Sequence, residues 1–91
     1  MAAEGAPVWE PLERFVGIIG RAVPALDCAD FMWMGVVQRG TVTLQLYKHI
    51  DTRRYLNLDH AGHAWQYHAP TSTYGAHGSA MEAAEHVLDW S

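Results

Sequence analysis

The sequence predicts an α+β domain, an antiparallel sheet of three to four strands with an N-terminal and a C-terminal helix packed on one face. Three observations lead to this fold class. Apolar residues recur at helical spacing near both ends of the chain, and they alternate with polar residues in the middle. Glycine and aspartate turn signals separate the alternating stretches. Ninety-one residues suffice for one thin core, so we expect a single domain over residues 1–91.

Composition narrows the class of protein. Hydrophobic residues make up 49% and charged residues 18% of the chain, as is typical of a globular protein. The formal net charge of −4 disfavours general nucleic-acid binding, which gains affinity by neutralising phosphates. Cys28 is the one cysteine, which excludes an intramolecular disulfide and fits a reducing cytoplasm. The sequence shows no apolar run of about eighteen residues and no basic leader region, so neither a membrane span nor a signal peptide is expected.

A helix is expected near each end of the chain. Residues 1–8 are small and unpatterned, which predicts a flexible tail. Pro11 suits the first turn of the first helix, which would end before Pro24. Ser79 and Glu82 have the spacing of a capping box at the start of the last helix, which would extend to about residue 90. The stripes expected to face the sheet are Leu12, Phe15, Val16, Ile19 and Val23 in the first helix, and Ala80, Ala83, Ala84, Val87 and Trp90 in the last.

The first predicted hairpin joins a strand over residues 31–37 to a strand over residues 41–48. The turn signal Arg39–Gly40 favours a two-residue loop, which would pair Val37 with Val42 and Trp33 with Leu46. This register puts Phe31, Trp33, Val37, Val42, Leu44 and Leu46 on the core face of the sheet. It puts Met32, Met34, Val36, Thr43, Gln45 and Tyr47 on the second face.

The second predicted hairpin covers residues 54–68. The segment Asp59-His60-Ala61-Gly62 is typical of a type I turn that closes with a glycine bulge. If Asp59 faces His63, Leu56, Leu58 and Ala64 share the core face. Tyr55 then pairs with Tyr67 and Asn57 with Trp65 on the second face, although a slip of one residue would exchange the faces. Residues 68–78 are expected to form a loop because they contain a proline and two glycines.

The second face of the sheet carries the strongest functional clue. Aromatic rings beside hydroxyl and amide groups are typical of a binding interface. The sequence therefore predicts a small non-enzymatic interaction module, without a cofactor, that forms a homodimer or docks another protein. A structural role for the aromatic cross-strand pairs is the alternative. The predicted binding residues are Tyr47, Tyr55, Asn57, Trp65 and Tyr67, with Arg53 and Arg54 on the rim.

Other functions use overlapping residues. The same face can form the floor of a small-molecule or enzyme pocket, in which Gln45, Asn57 and Tyr67 orient the ligand. Cys28 with a histidine would supply a nucleophile and a base, but no spacing in the sequence brings them together.

The basic strand connection and the histidines suggest two further kinds of site. Lys48, His49, Arg53 and Arg54, flanked by tyrosines, are of the type that binds single-stranded nucleic acid weakly. The helix–three-strand–helix order also resembles the double-stranded-RNA-binding domain. That family is expected to have lysines at the start of its last helix, whereas residues 79–83 carry no basic side chain, so the resemblance is one of topology.

A metal site and a resemblance in sequence style complete the possibilities. Asp59, His60 and His63 carry metal-binding groups, but the predicted hairpin directs them away from a common point. The stretch Tyr47–Asp59 resembles segments of short bacterial proteins found on mobile elements, a resemblance that implies no function.

Overall fold

The computed structural model describes residues 7–89. The predicted α+β class is confirmed, but the sheet has five strands instead of three to four. All neighbouring strands are antiparallel, in the order β1-β2-β3-β4-β5. The elements are α1 (Glu10–Ile19), β1 (Phe31–Arg39), β2 (Val42–His49), β3 (Tyr55–Leu58), β4 (Ala64–His68), β5 (Thr73–Ala76) and α2 (Ala80–Val87), with short 3₁₀ turns at Cys28–Asp30 and Ala69–Thr71.

Both helices cover the same face of the sheet, as predicted. The buried side of α1 presents Leu12, Phe15 and Ile19, although the helix ends at Ile19 and not shortly before Pro24. Helix α2 begins as expected, because the Ser79 hydroxyl accepts a hydrogen bond from the Glu82 N–H at 3.1 Å. Its buried side presents Ala83, Ala84 and Val87 to the common core. Residues 1–6 of the predicted tail lie outside the described residues, as does Trp90 of the predicted α2 stripe.

The side of β2 that faces the helices is not the predicted one but the opposite one. Tyr47 pairs with Leu56 and is fully buried in the core, whereas Leu46 pairs with Asn57 on the face turned away from the helices. The assignment of Leu44 and Leu46 to the core face, and of Tyr47 to the second face, is therefore wrong. We call the face away from the helices the open face; its side chains are Met32, Val37, Leu44, Leu46, Lys48, Tyr55, Asn57, Trp65, Tyr67 and Tyr74.

The helix side of β2 tolerates polar residues because each finds a hydrogen-bond partner there. The Tyr47 hydroxyl donates to the Val8 carbonyl at 2.5 Å. The Gln45 side-chain oxygen accepts from the Trp33 indole at 2.8 Å. The buried His49 ring accepts, through Nδ1, from two N–H groups of the following turn. These bonds offset the cost of removing the polar groups from water.

The loop between β1 and β2 differs by one residue from the predicted loop. Arg39 pairs with Val42, so the two loop residues are Gly40–Thr41 and not Arg39–Gly40. Gly40 has φ 59° and Thr41 has a negative φ, as a type II′ turn requires of its first and second positions. A glycine at the first loop position therefore determines the pairing.

A β-bulge in β1 exchanges its two faces part-way along the strand. The register shifts between Trp33 and Gly35, and Gly35 takes φ 139°, which a residue with a Cβ rarely adopts. Before the bulge, Trp33 faces the helices as predicted. After the bulge, Val37 lies on the open face and Val36 on the other, so the predicted faces of these two residues are wrong.

The β3–β4 turn matches the prediction. Asp59 accepts the N–H of Gly62 at 3.0 Å through its carbonyl, and Gly62 has φ 88°. The Asp59 carboxylate also accepts the N–H groups of Ala61 and His63, both at 2.9 Å. This turn sets the register in which Asn57 pairs with Trp65, as expected.

Strand β5 occupies part of the segment predicted to be a loop. Its residues Thr73–Ala76 pair with β4, and Tyr74 lies opposite Tyr67. The turn before it contains Pro70 and ends at Ser72, which has φ 53°. A four-residue strand with an internal glycine gives too short an alternating pattern to be distinguished from a loop.

Candidate ligand-binding cleft

A cleft lies where the pairing between β3 and β4 stops. The ladder comprises Leu58 with Ala64 and Asn57 with Trp65. Tyr55 and Tyr67, the next predicted pair, are not part of it, so that element of the prediction is wrong. On its other edge β4 pairs with β5 as far as His68, and the space left beside β3 has a volume of about 380 Å³. This is near the lower end of the range of ligand pockets, roughly 300–1,000 Å³.

The lining of the cleft is aromatic and polar, and none of its side chains belongs to Asp, Glu, Lys or Arg. Gln66 and Tyr67 follow one another in β4 and so point to opposite faces of the sheet. Both line the cleft, which therefore draws residues from both faces. The lining comprises Tyr55, Asn57, Gln66, Tyr67, Tyr74, His77 and His86.

Asn57 has an unsatisfied polar atom in this lining. Its side chain is 3% exposed, and its Nδ2 donates to the Trp65 carbonyl at 3.1 Å. Among residues 7–89, its Oδ1 has no hydrogen-bond partner, and no other buried side-chain nitrogen or oxygen of these residues shares this condition. A buried acceptor without a donor costs about 1–3 kcal/mol. A donor brought by a bound molecule would remove that cost.

Three tyrosines form the aromatic wall of the cleft. The rings of Tyr67 and Tyr74 lie with centroids 5.0 Å apart and planes tilted by 54°. Burial raises the pKa of Tyr74, and the nearby phenols of Tyr67 and Tyr55 raise it further. Tyr55 and Tyr67 are 42% and 48% exposed, so they form the rim. The Lys48 ammonium lies over the Tyr55 ring, 5.8 Å from its centroid, in a cation–π contact.

Two imidazoles close the end of the cleft near α2. The rings of His77 and His86 have centroids 5.9 Å apart. Burial lowers the pKa of His77, and proximity to His86 lowers it further, while Glu82 acts in the opposite direction. The lowered pKa favours the neutral imidazole, in which one ring nitrogen donates and the other accepts. Its backbone N–H is held by the Ala64 carbonyl at 3.0 Å, which fixes the chain next to the cleft.

The structure brings together three of the predicted binding residues and separates the others. Tyr55, Asn57 and Tyr67 line the cleft. Trp65 lies beside Asn57 on the open face, half-buried, with its indole N–H donating to the Asp59 carboxylate at 3.1 Å. Tyr47 lies in the core, on the other side of the sheet.

The basic connection between β2 and β3 does not form one cationic surface. His49 is buried on the helix side of the sheet, whereas Lys48 is on the open face. Arg53 is exposed in the turn with φ 65°, and the Arg54 guanidinium donates to the Asp89 carbonyl at 3.1 Å. Gln45, proposed as a ligand-orienting residue, is held by Trp33 on the helix side.

The histidines of the β3–β4 turn do not converge on a metal position. Nδ1 of His63 lies 3.6 Å from Oδ2 of Asp59, whose carboxylate already accepts three hydrogen bonds. Burial acts to raise the pKa of Asp59, but the bonds from Trp65, His63 and Ala61 outweigh it and lower the pKa. In the described part of the chain, no three His, Cys, Asp or Glu side chains are grouped as metal ligands.

Sequence reasoning missed four of the residues that line the cleft, Gln66, Tyr74, His77 and His86. Gln66 lies within the predicted second hairpin, and nothing in the sequence around His86 distinguishes it from other polar residues of the last helix. A signal for Tyr74 does exist, since Tyr67 and Tyr74 flank the Pro70 turn symmetrically enough to suggest a hairpin. No local sequence pattern identifies His77 and His86 as site residues, because only the tertiary fold brings them together.

Comparison with known proteins gives no match to a family model, a curated protein or a solved structure. Neither helix of residues 7–89 has the length and apolar character needed to cross a membrane.

Proposed function

We propose that this chain is a non-enzymatic binding domain whose cleft between β3 and β4 takes one small, uncharged, ring-shaped molecule that carries an N–H or O–H donor. The observation that carries this proposal is the buried Asn57 side-chain oxygen, the one buried side-chain polar atom of residues 7–89 that lacks a hydrogen-bond partner there. A ligand donor at Oδ1 would complete its hydrogen bonding.

The lining supports an uncharged ligand. An ion that enters the cleft loses hydration, and the residues that line it offer no opposite charge in return. The tyrosine rings provide flat apolar area for stacking, and their hydroxyls provide polar contacts at the rim. The volume of about 380 Å³ limits the ligand to a small molecule.

Binding is favoured over catalysis by the same lining. Its groups can donate, accept and stack, and none is a serine, cysteine, lysine or carboxylate. Tyrosine and histidine can act as nucleophiles, but within residues 7–89 none of those in the lining is hydrogen-bonded to a base that would activate it. Glu82 acts on His77 electrostatically, but no hydrogen bond within residues 7–89 joins a carboxylate to either imidazole to orient it as a base.

A protein partner on the open face is the second candidate function. Met32, Lys48 and Tyr55 occupy neighbouring positions across β1, β2 and β3. Met32 and Tyr55 are each 42% exposed, and an exposed apolar row next to a cation is common in protein interfaces. Such a partner would contact Met32 and leave Asn57 untouched, which distinguishes it from a ligand in the cleft.

The test is an NMR titration with matched neutral and charged rings. Nicotinamide and nicotinate share a ring, but only the first is uncharged with an N–H donor; uracil and adenine extend the neutral set. We expect the neutral compounds to shift the side-chain NH₂ signals of Asn57 and the backbone signals of Tyr55 and Tyr67 at millimolar concentration. No shift from any neutral compound, or stronger binding of nicotinate, would contradict the proposal.

A matched pair of variants locates the binding. Asn57→Leu keeps the approximate volume of the side chain and removes its carbonyl, so we expect it to abolish the shifts. Gln45→Leu makes the same change at a residue that is 4% exposed on the other face, so binding should persist. Equal binding by both variants would place the ligand elsewhere.

A further inference from the structure

Strand β1 is a long edge of the sheet with an unpaired side. It has nine residues, Phe31–Arg39, and pairs with β2 along one edge only. No other strand of residues 7–89 pairs with its outer edge. Nine residues of strand are about 30 Å long. An edge of this length presents a row of backbone donors and acceptors that another strand can complete.

The β1 edge lacks most of the features that prevent edge pairing. Residues 31–38 include neither a charged residue nor a proline. Met34 and Val36 are 44% and 54% exposed, respectively. The bulge at Gly35 is the one protective feature, whereas the opposite edge, β5, is only four residues long. The apolar edge therefore favours a partner strand.

The charges at the two ends of β1 indicate what that partner is. Asp30 directly precedes the strand, and Arg39 is its last residue. A second copy related by a two-fold axis runs antiparallel to the first, so the same patch meets itself. In that arrangement Arg39 of each chain comes near Asp30 of the partner subunit, and the uncharged middle sections face each other. The strand is thus complementary to itself in charge as well as in hydrogen bonding.

We propose that β1 is the interface of a two-fold homodimer in which two β1 strands pair antiparallel and join two five-stranded sheets into one continuous sheet. This interface is separate from the cleft, which lies between β3 and β4, so the dimer and ligand binding do not depend on one another. One pair of strands makes a small interface. We therefore expect the dimer to dissociate at micromolar concentrations.

The test is the molar mass of the protein in solution across a concentration series. Sedimentation velocity should show a species of twice the 10.2 kDa chain mass that converts to monomer on dilution. Val36→Lys places a charge in the middle of the edge and should raise the dissociation constant about tenfold or more. Ile18→Lys makes the same change at a residue of α1 that is 68% exposed and should leave it unchanged.

A charge exchange separates self-pairing from capture of another strand. Arg39→Asp should weaken the dimer, and the double variant Asp30→Arg/Arg39→Asp should restore it, because the end charges again oppose. Circular dichroism checks that each variant is folded. A monomer at all concentrations overturns the proposal, as does a dimer insensitive to Val36→Lys. A dimer lost on Tyr55→Ala but retained in Val36→Lys would assign the interface to the open face instead.

Discussion

Truncation of two tyrosines in the same sheet tests the observed faces. Tyr47→Ala removes a ring that is fully buried against α1, beside the Trp9 ring at a centroid distance of 5.7 Å. Tyr55→Ala makes the same chemical change at a ring that is 42% exposed on the open face. If the faces are as the structure shows, the two variants must differ greatly in stability.

The expected difference follows from burial. Loss of a large aromatic side chain from a core costs about 3–5 kcal/mol, because both the transfer energy and the cavity count. A chain of this size is stabilised by about 5–14 kcal/mol in all. Tyr47→Ala should therefore remove a large share of the free energy of unfolding. Tyr55→Ala leaves no closed cavity and should cost about 1 kcal/mol.

Urea unfolding followed by circular dichroism measures both variants. Tyr47→Phe adds a control, because it removes only the hydroxyl bonded to the Val8 carbonyl and should cost about 0.5–1.5 kcal/mol. If Tyr47 lay exposed on the face away from the helices, as its predicted role in binding requires, the two alanine variants would lose similar, small amounts of stability. That result would refute the observed register of β2.

Three further predictions concern the pH response and the backbone. Because the pKa of Asp59 is lowered in the folded protein, its carboxylate stabilises the fold above the ordinary value of 3.8, and this stabilisation is lost as pH falls through the lower native pKa. Urea unfolding at pH 6 and pH 3 should show this loss in the wild type and much less of it in Asp59→Asn. The pKa of His77 is also lowered in the folded protein, so its contribution to stability is present above pH 6.5 and is lost as pH falls through the native pKa. The melting temperature should therefore fall less in mild acid for His77→Gln than for the wild type, and an equal fall would assign the pH dependence to another group. Gly62→Ala should lower the free energy of unfolding by about 1–2 kcal/mol, because φ at Gly62 is 88°. Gly17→Ala should raise it by up to about 1 kcal/mol, because Gly17 lies in helix α1 and an added methyl group there meets no neighbouring atom. Thermal unfolding compares the two variants.

The β3–β4 hairpin could be predicted because its turn is encoded locally. Asp59 and Gly62 each satisfy a distinct requirement of the turn, a side-chain acceptor and a positive φ. Once the turn is known, the pairing of Asn57 with Trp65 follows by counting. The helix cap at Ser79 was predictable for the same reason, since its bonds form within four residues.

The faces of β2 could not be read from its alternation, because both sets of alternating residues are compatible with burial. Leu44 is fully buried on the open face, and Tyr47 is fully buried on the other. The turn was the better guide: a two-residue loop at Asp51–Thr52 already pairs Tyr47 with Leu56, as observed. The hydrophobic alternation of β2 predicts the wrong faces, whereas the geometry of the turn that follows the strand predicts the correct register.

The cleft was predicted only in part. The sequence predicts Tyr55, Asn57 and Tyr67 as a set because they share a face of one hairpin. The site itself arises where a predicted ladder fails to continue, and no pattern of residue types shows where two strands stop pairing. His86 joins it only because α2 packs against β3 and β4, which brings the His86 ring close to that of His77.

The brevity of the β3–β4 ladder has a consequence for how the molecule opens. Only two residue pairs join the β4–β5 hairpin to the three strands before it, whereas β1 and β2 pair over most of their lengths. Segments with few shared hydrogen bonds open locally at a lower free energy than the whole protein unfolds. The amide protons of β5 should therefore exchange with solvent sooner than those of β2. The five strands form one sheet, but the β4–β5 hairpin should open at a lower free energy than β1, β2 and β3.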